Sequence, residues 1–82
     1  MKSDYEFATD EIRRALRQGA MFGVQMAKLR RRIQKRLQKK SLKVDGLDVI
    51  RREDGSLYAT GFLILNGVTR TLDVYHKQPQ PK

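Results

Sequence analysis

In the first half of the chain, apolar residues recur at intervals of three and four. At 100° per residue, Ile12, Ala15, Leu16, Gly19, Phe22, Gly23, Met26, Leu29, Ile33 and Leu37 fall on one broad face. No Pro lies between Asp10 and Lys40, and the phase carries through Gly19 and Gly23. The pattern therefore predicts one long N-terminal helix, with a kink or break near Gly19–Gly23 as the alternative. Two starts are available. Ser3-Asp4-Tyr5-Glu6 fits a capping box, and Thr9 precedes two acids suited to the positive end of the helix dipole.

After Lys43 the period falls to two. Residues 47–52, 57–65 and 68–76 read as strands, and Asp54-Gly55 and Asn66-Gly67 are two-residue hairpin signals. The fold class is α+β: the helix followed by a three-stranded antiparallel β-meander. Residues 1–76 make one small domain, and 77–82 form a polar tail whose composition predicts disorder. With two-residue loops at both turns, one sheet face carries Ile50, Leu57, Ala59, Gly61, Leu63, Leu65, Val68, Leu72 and Val74. The other carries Leu47, Val49, Tyr58, Phe62, Ile64 and Tyr75, with Arg51 among them. The first is the seat for the helix, Ala59 and Gly61 leaving room for a close approach. A different loop length at Asp54-Gly55 would exchange the two faces of the first strand.

A helix of about 30 residues is roughly 45 Å long, whereas strands of this length span roughly 20 to 30 Å. Part of the apolar stripe must then be covered by a bend, a partner or another chain, and a homodimer is the expectation for so small a domain. The small residues Ala15, Gly19, Gly23 and Ala27, spaced by four, form a face for close helix packing or a dimer contact, in preference to a hinge.

Composition narrows the chemistry. The chain has 82 residues, no cysteine and one histidine, so disulfides, thiolate metal sites and a zinc cluster are excluded. No phosphate-binding glycine loop or nucleophile motif is present, and neither enzyme activity nor a cofactor is expected. Nothing resembles a signal peptide and no apolar run approaches the roughly 20 residues of a membrane span, which makes the cytoplasm the expected location.

Charge is informative through its distribution. The formal net charge is +9, yet residues 1–24 and 44–82 are each neutral. The whole excess lies between Lys28 and Lys43, a stretch with nine basic residues and no acid. Like charges at helical i,i+4 spacing repel, and such a segment points to a polyanionic partner. The candidate contact residues are Arg14, Arg17, Lys28, Arg31, Arg32, Lys35, Arg36, Lys39, Lys40 and Lys43. Nucleic acid is the expected partner, DNA ahead of RNA because a helix fits the B-form major groove. The alternative is a protein-binding adaptor or inhibitor whose basic helix docks an acidic surface. A membrane surface is disfavoured, since only Leu29, Ile33 and Leu37 would insert. Arg30 lies on the apolar side of the wheel, so either the helix has left the core by Leu29 or, in preference, Arg30 pairs within the chain or between subunits with a carboxylate such as Asp48 or Asp73. Tyr58, Phe62 and Tyr75 form a possible secondary surface, either a base-stacking platform or an interface with a second copy.

Overall fold

Ser3 opens the first helix as its capping box predicts. Its hydroxyl accepts a hydrogen bond from the Glu6 backbone N–H at 3.1 Å, and α1 runs Asp4–Phe22. The computed structural model describes residues 2–77; of the polar tail expected at 77–82, all but Lys77 lies outside the described residues. Four further elements follow: α2 Met26–Lys39, β1 Lys43–Arg51, β2 Leu57–Leu65 and β3 Val68–His76. The class is α+β with an antiparallel sheet in the order β1-β2-β3.

The expectation of one long helix is corrected. Gly23 adopts a left-handed conformation, φ +63 and ψ 35, which ends α1, and the Val24 N–H donates to the Gly19 carbonyl at 3.0 Å. Glycine populates this region without the steric penalty that a Cβ brings. Helical phase alone does not reveal the break, because α2 resumes after three residues. A single straight helix would leave much of its stripe uncovered; breaking it lets both halves cover the same sheet. α1 packs on β2 and β3, α2 packs on β1, and the two helices pack against each other. The length argument for a second covering chain thereby lapses.

α2 also ends in a hydrogen-bonded cap. The Leu42 N–H donates to the Leu37 carbonyl at 3.0 Å and the Ser41 N–H to the Gln38 carbonyl at 2.9 Å. Leu37 and Leu42 are both buried, the apolar contact that accompanies this cap.

The β2–β3 hairpin has the expected two-residue turn, Leu65 pairing with Val68 across Asn66-Gly67. The β1–β2 turn is one residue longer than expected. The Arg52 N–H donates to the Ser56 carbonyl at 2.9 Å, which makes the loop Glu53-Asp54-Gly55. The slip exchanges the faces of β1, because side chains alternate with period two. Val49 pairs with Ala59 and Ile50 with Tyr58, so Leu47 and Val49 are buried while Ile50 is exposed. Arg51, opposite Leu57, leaves the aromatic face.

A bulge between Asp45 and Asp48 sets Gly46 and Leu47 against Gly61, with Gly46 at φ +61. Gly61 is therefore needed by the neighbouring strand and not by a helix. A Cβ there would lie 3.2 Å from Leu47 Cα and 3.3 Å from the Asp45 carbonyl oxygen.

The core lies between helices and sheet: Ile12, Leu16, Leu29, Ile33 and Leu37 meet Leu57, Leu63, Leu72 and Val74. Each such side chain stabilises the fold by roughly 1.5–3 kcal/mol on burial. Phe22, read from the stripe as a core residue, is 72% exposed because α1 ends there.

Candidate functional site

The burial of Leu29, Ile33 and Leu37 fixes how α2 presents its charges. Residues three and four apart share a helix face, so with this stripe against the sheet the opposite flank must carry Lys28, Arg31, Lys35 and Lys39. All four are exposed and Arg32 is half-buried beside them. Lys28, Arg31, Arg32 and Lys35 line a shallow depression of about 410 Å³. α2 contains no acid in its first turn or elsewhere. From Lys28 to Lys39 the row extends eleven residues, or roughly 17 Å along the axis.

The other cations named from the sequence are dispersed by the break at Gly23. Arg36 turns toward α1, 3.6 Å from the Glu11 carboxylate, and donates to Gln18 Oε1 at 3.5 Å. It is a bridge between the helices and not part of the exposed row. Arg14 and Lys40 line the cleft between α1 and α2 together with Glu11, Arg36, Phe7 and Lys39, the last residue of the row. The Lys40 ammonium stands 5.4 Å from the centroid of the Phe7 ring. Arg17 is exposed on α1, on the segment that no longer continues α2. Lys43 is exposed at the start of β1 and lines a separate depression with Gln34 and Gln38. Arg30 is exposed, and among the described residues no carboxylate lies within 4.0 Å of it. The pair with Asp48 or Asp73 is thus absent from the described contacts. The reading that α2 leaves the core by Leu29 also fails, since Leu29, Ile33 and Leu37 are fully or almost fully buried.

The small-residue stripe divides in the same way. Ala15 and Gly19 are buried, and a Cβ on Gly19 would lie 2.6 Å from Leu29 Cδ2. The close approach is between α1 and α2 of one chain. Gly23 has nothing within 4 Å of a Cβ position, and Ala27 is exposed. Within the chain these last two are a helix stop and a surface residue, and neither takes part in the packing of α1 on α2.

The aromatic face differs from the sequence reading in its charge. With β1 exchanged, Asp45 lies opposite Phe62, and Asp48 and Asp73 flank Thr60. Tyr58 donates its hydroxyl to Asp73, and that carboxylate raises the tyrosine pKa above its usual range. The Tyr58 and Tyr75 rings meet edge to face, their centroids 6.3 Å apart. Tyr75 in turn donates to Ser56 Oγ at 3.0 Å. Ser56 Oγ donates to Asp54 at 2.6 Å, which together with the Ser56 backbone N–H holds the Asp54 carboxyl below its usual range. Three carboxylates on this face repel phosphate, which weighs against a base-stacking platform at Tyr58, Phe62 and Tyr75, and among the described residues the one guanidinium over these rings is Arg52, 5.9 Å from the Tyr75 centroid.

Sequence reasoning missed this acidic face and also the exposure of Met21 and Phe22, 69% and 72%. Gly23 was the available signal for the second. Among the described residues no group of three or more acids and histidines could hold a metal ion, and no helix is long and apolar enough to cross a membrane. Comparison with known proteins returns no matching family model, no matching curated protein and no matching solved structure.

Proposed function

We propose that the protein binds nucleic acid, duplex DNA foremost, through the exposed flank of α2. One observation carries this reading: Lys28, Arg31, Arg32, Lys35 and Lys39 share a helix flank without an acid, while the opposite flank is buried. The cations cannot turn inward to find partners, and they repel one another until an external anion neutralises them. A solvated surface helix would gain from interleaved acids at i,i+4, and α2 has none. Counterion release supplies affinity without base reading, so the contact is predominantly with phosphates. Gln34 and Gln38 line a separate depression with Lys43, not the one lined by Lys28, Arg31, Arg32 and Lys35.

The test is a titration against a random duplex at several salt concentrations. Five neutralised phosphates give a slope of log K against log salt of roughly −4 to −5. The quadruple variant Arg31→Gln, Arg32→Gln, Lys35→Gln and Lys39→Gln should lose most of the affinity while keeping its circular dichroism spectrum. A flat slope, or full affinity in that variant, would overturn the proposal.

A further inference from the structure

The sheet face turned away from the helices and the turn between the helices are complementary to each other, and within one chain they do not meet. On the sheet face, Ile50, Phe62 and Tyr75 are exposed by 46%, 47% and 42%. Asp45, Asp48 and Asp73 stand beside them, in a chain whose net charge is +9. The helix turn has the opposite character. Met21 and Phe22 project from the end of α1, and Phe22 lines one depression with Lys28 and Arg32.

We infer that these two surfaces bind each other between copies of this chain, the Met21-Phe22 turn of one copy seating on the sheet face of the next. Charge decides the arrangement. Two sheet faces packed together would oppose three carboxylates with three more, and two turns packed together would oppose cations. Only the pairing of turn with sheet face sets apolar against apolar and Lys28 and Arg32 against the carboxylates. Such a contact is heterologous, leaving each end of a pair with one free turn or one free face, so assembly continues into a ring or a filament. Lys43 and Arg52, near opposite ends of the sheet face, leave its centre acidic. Lys28 and Arg32 belong also to the row proposed to bind phosphate, so the two contacts compete, and the inference is tested on nucleic-acid-free protein to keep their failures distinguishable.

The experiment is sedimentation velocity from micromolar to millimolar concentration on the wild-type chain, Phe22→Ser, Phe62→Ser and an equimolar mixture of the two variants. Both substituted side chains are exposed, so the fold should be retained. Asp45→Lys replaces Phe62→Ser if the latter loses its circular dichroism spectrum. The expected result is wild-type association beyond two chains, at least tenfold weaker self-association in either variant, and pairing in the mixture. That pairing should stop at two chains, since Phe22→Ser keeps the intact sheet face and Phe62→Ser keeps the intact turn. Three results would overturn the inference: a wild-type monomer throughout, wild-type behaviour in Phe22→Ser, or a mixture that does not pair. A sheet-to-sheet dimer would produce the second of these.

Discussion

Gly23→Ala tests the helix break through the sign of its effect. In the structure Gly23 has φ +63, and a Cβ placed on it finds nothing within 4 Å. The substitution therefore creates no clash, and its cost is conformational. An L-residue in the left-handed region is disfavoured by roughly 1–2 kcal/mol. The stiffer unfolded chain of alanine offsets about 0.4–1 kcal/mol of that. The net expectation is a loss of about 1 kcal/mol. For a domain of this size that lowers Tm by roughly 4–8 °C, measurable by thermal melts followed at 222 nm. Gly23→Asn should recover much of the loss, because asparagine tolerates this region best among the other residues. If residues 10–40 formed one continuous helix, the same Gly23→Ala change would raise stability by roughly 1 kcal/mol through helix propensity. A higher Tm for Gly23→Ala would refute the break and the two-helix packing built on it.

Gly61→Ala should destabilise by roughly 1–3 kcal/mol, because the new methyl meets backbone at Leu47 and Asp45 that has no rotamer to yield; urea unfolding would measure it. Glu11→Gln breaks the 3.6 Å Arg36–Glu11 ion pair between the helices, which lies outside the exposed row, and should lower stability by roughly 0.2–1 kcal/mol in the same melts while leaving the salt slope of duplex binding unchanged. The lowered pKa of Asp54, held by its bonds from Ser56, gives a stability contribution with a defined pH window. It is fully present above the unfolded carboxyl pKa of about 3.9 and is lost as pH falls through the lower folded value. Asp54→Asn should therefore flatten the acid limb of stability against pH, and an unchanged limb would show that the Ser56 bonds contribute nothing there. Gly19→Leu must displace Leu29, whose Cδ2 occupies the space of even a first carbon, and should cost more than Gly23→Ala in the same melts.

Local signals in the sequence determined most of the elements. The Ser3 cap, the type of each segment and the Asn66-Gly67 turn all depend on neighbours within a few residues, and each is present in the structure. The concentration of charge between Lys28 and Lys43 was equally legible, since it requires no folding to see. Tertiary structure decided what depends on one residue of offset. A loop of three residues in place of two at Glu53-Asp54-Gly55 turned Leu47 and Val49 inward and Ile50 outward, and brought Asp45 and Asp48 beside the aromatics. Periodicity gives each strand two faces without saying which is buried, and only the pairing register chooses. The two glycines make the same point. Gly19 and Gly23 share one helical stripe, yet Gly19 admits Leu29 from α2 while Gly23 ends α1. A helix stop and a packing notch have the same sequence signature, and the choice between them rests on whether folding back buries more of the stripe than continuing. Here the sheet is too short for one straight helix, and the chain folds back.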